Sequence, residues 1–149
     1  MGLWKNLRRM LGQESVRPVT PPSPPTPPLE DDLPEPNVPE LTIDEFRRVL
    51  ADPNPPLVLD IRELYEWRQV RLSFARHIPM NEVPQHLAEL QAAHAAHTGA
   101  TPAVVVMCAH GSRSYSVAAW LNAQGVPAAS LDGGITQWSV QGGEVAQGA

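Results

Sequence analysis

The chain is poor in thiols, in positive charge and in long apolar runs, and each shortage excludes something. Cys108 is the single cysteine among 149 residues. One thiol rules out an internal disulfide and fits a reducing compartment. Eleven Lys and Arg against sixteen Asp and Glu leave a net charge of −5. No basic stripe runs through the main body, so no nucleic-acid partner is expected. No stretch approaches the roughly 20 apolar residues that span a bilayer. The N-terminus is basic but lacks the apolar core, roughly 7–15 residues, of a secretory signal. A cytoplasmic protein is therefore the default expectation. The length suits one folded domain, able to bury roughly two thirds of its unfolded surface.

What the chain has in excess is proline, unevenly spread. Ten of its 17 prolines lie between Pro18 and Pro39. Proline fixes φ and removes a backbone donor. Residues 18–39 are thus expected to form a disordered, semi-rigid, polyproline-like linker, kept solvated by Glu30, Asp31, Asp32 and Glu35. Before it, residues 1–17 fit a basic amphipathic helix. Leu3, Trp4, Leu7, Met10 and Leu11 make one apolar stripe, with Lys5, Arg8 and Arg9 on the other side. Such a helix favours weak peripheral contact with the inner membrane surface; the other reading is docking on a partner or on the domain itself. Asn6 occupies the position where a myristoylation signal needs Ser or Thr.

Residues 40–149 are expected to fold. Thr42 to Glu45 form a capping box opening a helix with Phe46, Val49 and Leu50 inside. Apolar runs at Leu57–Ile61, Ala75–Ile78, Ala103–Met107 and Ala128–Leu131 are expected as strands. Helices are expected near Leu64–Arg68 and over Pro84–His97, Ser112–Gln124 and Ile135–Val140, with Gly125 closing the third. Strands alternating with helices indicate an α/β domain with a parallel sheet. No internal repeat is present. Ligand sites in such sheets lie at the carboxyl ends of strands.

Cys108 stands where the best strand ends, and a helix starts a few residues later. Between them Gly111 and small residues permit a tight turn. Amides in such a turn point inward as an anion cradle, and the helix N-terminus adds about half a positive charge. Both favour thiolate over thiol. Arg113 adds a cation at the rim, and Ser112 or Ser114 can cap the helix. A lone cysteine after an apolar strand is more often a small buried hydrophobe; it is the surrounding loop that points to chemistry.

The segment Cys108-Ala109-His110-Gly111-Ser112-Arg113-Ser114 resembles the C-x-x-G-x-R-[ST] active loop of the rhodanese family. Leu59-Asp60-Ile61-Arg62-Glu63, Glu66-Trp67, Ala75 to Met80, and Leu131-Asp132-Gly133-Gly134-Ile135 with Trp138 are similar to four further stretches of that family, in order. The resemblance implies a rhodanese-like fold, a five-stranded parallel sheet flanked by helices. It implies a single-domain sulfurtransferase moving a sulfane sulfur from thiosulfate or another persulfide donor through a Cys108 persulfide. Ala109, His110, Gly111, Ser112 and Arg113 would bind the substrate, with Arg113 holding an anionic donor or anchoring the loop. Asp60 and Arg62 would support the loop, or simply pair to fix the first strand. No cofactor and no metal are implied. With no second cysteine, the sulfur acceptor must be external, a small thiol or a thioredoxin-like protein.

One stretch departs from the family. Val70, Arg71 and Phe74 stand where many members carry two glycines and a histidine, so a different backbone path and an altered substrate preference are expected there. Two other functions remain open. One is a rhodanese-like protein-interaction module tethered by the N-terminal helix. The other is an arsenate reductase or phosphatase, which ranks lower because four residues separate Cys108 from Arg113 and those enzymes use five.

The histidines add less. His110 either tunes the thiolate or faces solvent. His94 and His97 share metal-compatible spacing, but Glu89, five residues before His94, is poorly placed to join them. His77 is expected to be a structural hydrogen-bonding residue, and Trp120 and Trp138 to pack in the core. Co-sedimentation with anionic liposomes tests the N-terminal helix. Removing residues 1–17 should abolish pelleting, and equal pelleting would overturn the membrane contact.

Overall fold

A computed structural model describes residues 38–148. The basic helix expected over 1–17 and residues 18–37 of the expected linker lie outside the described residues. The folded domain takes in the last two linker residues. Val38 packs against the core, and the Pro39 carbonyl accepts a hydrogen bond from Ser130 N at 2.9 Å.

In chain order the elements are β1 (Glu40–Leu41), α1 (Ile43–Leu50), β2 (Leu57–Asp60), α2 (Leu64–Gln69), β3 (Val70–Arg71), β4 (Arg76–His77), a 3-10 helix (Met80–His86), α3 (Leu87–Ala96), β5 (Val104–Met107), α4 (Ser112–Ala123), β6 (Ala128–Leu131), α5 (Gly134–Val140) and β7 (Ala146–Gln147). Five strands form one sheet in the order β1-β6-β5-β2-β4, and every pairing in it is parallel. This is the expected α/β architecture. The central strand β5 is buried on both faces, which is why it is apolar without alternation. On one face Val104 and Val106 meet Leu90, Val117 and Leu121 from α3 and α4. On the other, Val105 and Met107 meet Phe46, Ile135 and Trp138 from α1 and α5.

Local chemistry sets the helix starts. Thr42 Oγ1 accepts from Glu45 N at 3.1 Å and Glu45 Oε1 accepts from Thr42 N at 2.9 Å, the capping box that opens α1. The helix expected over Pro84–His97 divides. Pro84 lies inside the 3-10 helix and has no N–H to donate. The α-helical segment begins at Leu87, whose N–H returns to the Pro84 carbonyl. The strand β1 and the antiparallel pair β3–β7 were not anticipated; each strand is two residues long and carries no readable period. Val70 and Arg71, the departing positions, form β3, and no described residue other than glycine has a positive φ. Just after β3 the chain turns, with Ala75 N donating to the Leu72 carbonyl at 3.2 Å. No helix among the described residues is long and apolar enough to cross a membrane.

Asp60 and Arg62 form a fully buried ion pair at the end of β2, with Arg62 Nη2 2.8 Å from Asp60 Oδ2. The same guanidinium donates to the Val70 carbonyl at 2.7 Å and the Glu66 carbonyl at 3.3 Å. Arg62 therefore ties the sheet to the end of α2. His77 Nε2 lies 2.8 Å from the Arg62 carbonyl, a structural contact of the kind expected for it. Replacing Arg62 with Met would strand the Asp60 carboxylate in the core. Urea unfolding should show a loss of about 3–5 kcal/mol; a loss under about 1 kcal/mol would mean that the pair contributes no more than a surface one.

Candidate active site

β5 ends at Met107 and delivers Cys108 to the carboxyl edge of the sheet, with the residue 1% exposed. The chain then turns through Ala109 and His110 into α4. Gly111 is the N-cap residue of α4 with φ 113°. A Cβ there would be strained by that φ and would sit 3.2 Å from Gly133 N.

The sulfur takes up the backbone donors of this turn. Gly111 N donates to Cys108 Sγ at 3.1 Å and Ser114 N at 3.3 Å. Helix N-termini leave their first amides without intrahelical acceptors, and here Cys108 Sγ fills the place that an N-cap side chain usually fills. Gly111, and neither of the expected Ser112 and Ser114, is the N-cap residue. The Ser114 hydroxyl lies 3.4 Å from Sγ and 3.1 Å from the Gly111 carbonyl. Burial pushes the Cys108 thiol up. Hydrogen bonds from the Ser114 hydroxyl and from the amides of Ser114, Gly111 and His110 outweigh it, so its pKa falls below the ordinary thiol value.

The loop is held from behind by α5. Ile135 N donates to the Cys108 carbonyl at 3.0 Å and Thr136 N to the Ala109 carbonyl at 3.1 Å. Gly134 makes this approach possible, since a Cβ on it would lie 2.4 Å from the Cys108 carbonyl oxygen. The two glycines of the Leu131–Ile135 segment are thus structural parts of the site, a role not assigned to them from sequence.

Arg113 is not a free cation at the rim. Its guanidinium makes a bidentate pair with Glu66 of α2, both contacts at 2.9 Å. The two residues are 47 apart in sequence, so nothing local announced the pair. Its hydrogen bonds from Arg113 hold the Glu66 carboxyl at about 2, against burial that works the other way. Arg113 is correspondingly raised, through the same bond. This pair ties the first turn of α4 to α2. Asp60 and Arg62 pair with each other at the end of β2, and Arg62 also binds the Glu66 carbonyl of α2. His110 and Ser112 are exposed at the loop's outer edge.

The departing corner adjoins this pair. Trp67, next to Glu66, is stacked on His77 with ring centroids 5.3 Å apart, and Arg71 lies 4.3 Å over the indole. Phe74 is half-exposed and meets Trp138 edge-on. His97 Nε2 is taken by Thr101, whose carbonyl is 3.0 Å away.

The sequence profile of the rhodanese-like domain matches residues 42–141. The chain belongs to the rhodanese-like domain family. A sulfurtransferase of Allochromatium vinosum is 31% identical over 106 residues, covering 70% of this chain and 92% of the relative. The adenylyltransferase and sulfurtransferase MOCS3-1 of Zea mays is 28% identical over 104 residues, which are 69% of this chain and 22% of that protein. The chain thus spans only about a fifth of the maize relative's length. Among solved structures, a rhodanese-like domain protein from Staphylococcus aureus aligns with a TM-score of 0.60 at 26% identity, over 75% of this chain and 100% of the other. A thiosulfate sulfurtransferase from Pseudomonas aeruginosa aligns with a TM-score of 0.62 at 25% identity, over 75% of this chain and 21% of the other.

In this rhodanese-like domain the Glu66–Arg113 pair has a pH signature. Glu66 titrates lower in the fold than unfolded, so its stabilisation is present at neutral pH. That stabilisation is lost as pH falls from about 5 towards 2. The stability gap between wild type and Glu66→Gln should shrink across that window. A gap independent of pH would show that the charge contributes nothing.

Proposed function

We propose that the chain is a sulfurtransferase that carries a sulfane sulfur as a persulfide on Cys108. The observation that supports this most directly is the Cys108 sulfur held by Gly111 N and Ser114 N, an environment that favours the nucleophilic thiolate. The Cys108 thiolate attacks the outer sulfur of a donor such as thiosulfate. An S–S bond forms, the donor's S–S bond breaks, and sulfite leaves with its electron pair. The new outer sulfur is an anion near the start of α4. The first helical hydrogen bond runs from Tyr115 N to the Gly111 carbonyl. The amides of Ser112 and Arg113 come before it and have no acceptor within the helix, so they are free to receive this anion.

Because Arg113 is spent on Glu66, binding of an anionic donor falls to the loop amides of Ala109 to Arg113 and to the helix dipole. An acceptor thiolate then attacks the outer sulfur, and Cys108 leaves as thiolate. The chain has no second cysteine, so the acceptor is an external thiol, small or thioredoxin-like. This chemistry calls for no metal or cofactor. A cytoplasmic location, with residues 1–17 touching a membrane surface, completes the reading.

Intact mass after treatment with thiosulfate, or with a small persulfide donor, tests it. A gain of about 32 Da is expected, one sulfur atom, and Cys108→Ala should abolish it. No adduct with either donor would overturn the reading and favour a protein-interaction module.

A further inference from the structure

Four polar or charged residues are fully buried among the described residues: Asp60, Arg62, Ser114 and Ser130. The first two satisfy each other. The other two form a second pair, directly behind the sulfur. Ser130 lies on β6, in register with Val106 of β5. Its Oγ is 2.8 Å from Ser114 Oγ and 3.4 Å from the Gly111 carbonyl. Ser114 Oγ is in turn 3.4 Å from Cys108 Sγ. A chain of polar atoms therefore runs from the middle of β6 to the nucleophile.

We propose that Ser130 is a positioning residue for Cys108, acting through Ser114. The inference rests on the reading of Cys108 as the reactive thiolate. Each hydroxyl has one proton, and the acceptors compete for it. With Cys108 as thiolate, Ser114 donates to Sγ and Ser130 donates to Ser114 Oγ. The second bond fills a lone pair on Ser114 and polarises its O–H, which strengthens the first. Without Ser130 that strengthening is lost, and the Gly111 carbonyl, 3.1 Å from Ser114 Oγ, draws the Ser114 proton from Sγ more readily. With Cys108 as thiol, Sγ–H donates to Ser114 Oγ and the Ser114 proton turns to the Gly111 carbonyl. No heavy atom has to move between the two states. The pair thus directs a hydrogen bond at the sulfur when the sulfur is charged and withdraws it when it is neutral.

The rate of Cys108 alkylation by iodoacetamide, followed against pH in the full-length protein, reads this directly, because the chain has no other thiol. The charged and titratable groups on and beside the loop are His110 and Arg113, with Glu66 and Tyr65 of α2 against Arg113 and Asp132 after β6 against Gly111. All are kept in every variant. Ser130→Ala should raise the midpoint by about half a pH unit, a roughly threefold loss of thiolate at pH values below the midpoint. Ser114→Ala should raise it further, and the double variant should match Ser114→Ala alone, since Ser130 acts only through Ser114. Ser130→Thr and Ser130→Val differ by one hydroxyl at nearly equal shape, so Thr should lie nearer to wild type and Val nearer to Ala. That comparison also separates the hydroxyl from packing. An unchanged midpoint in Ser130→Ala, additive shifts in the double variant, or equal midpoints for Thr and Val would each overturn the proposal. The assay needs no sulfur donor. A wild type that takes up no sulfur while these midpoints move would sink the transfer reading alone.

Discussion

The first turn of α4 terminates on a sulfur atom. Gly111 and Ser114 direct their amides at Cys108 Sγ, so the thiol and the helix cap are one group. This couples chemistry to folding in both directions. The helix start needs an acceptor, and the sulfur supplies it. The sulfur needs donors to ionise in a buried place, and the helix start supplies them. Burial at 1% exposure opposes ionisation; the donors are close enough to reverse that.

The remaining contacts serve to keep this turn in place. Gly134 lets the first amides of α5 reach the carbonyls of Cys108 and Ala109. The Arg113–Glu66 pair fastens the first turn of α4 to α2, and Arg62 fastens α2 to β2 through buried bonds to Asp60 and two carbonyls. The cations near the site are thus engaged in holding it. The donors around the sulfur are oriented amides, which need no counter-ion and do not lose their charge with pH.

The family loop at residues 108–114 was legible because its chemistry is local. A strand, a small-residue turn and a helix start follow one another within a few residues. The capping box at Thr42 and the three four-residue strands β2, β5 and β6 were legible for the same reason. The contacts with α5, the Glu66–Arg113 pair and the Ser114–Ser130 pair were not. Each joins segments distant in sequence, and each depends on which strand lies next to β5. Ser130 carries no mark in a run of small residues, Ala128-Ala129-Ser130; only the order β6-β5 and the register opposite Val106 set it behind the sulfur. The short strands β1, β3 and β7 are held by pairing partners rather than by any period of their own.

By itself the sequence determined the α/β class, the place of the single cysteine after the central strand and the length of the loop that follows it, since these follow from residue type and spacing along the chain. Tertiary structure decided which partners the charges and hydroxyls around Cys108 meet. Arg113 could have faced a ligand or a carboxylate, and Asp60 and Arg62 could have met the loop or each other. Those choices depend on distances across the sheet, which the parallel crossovers set and local sequence does not encode.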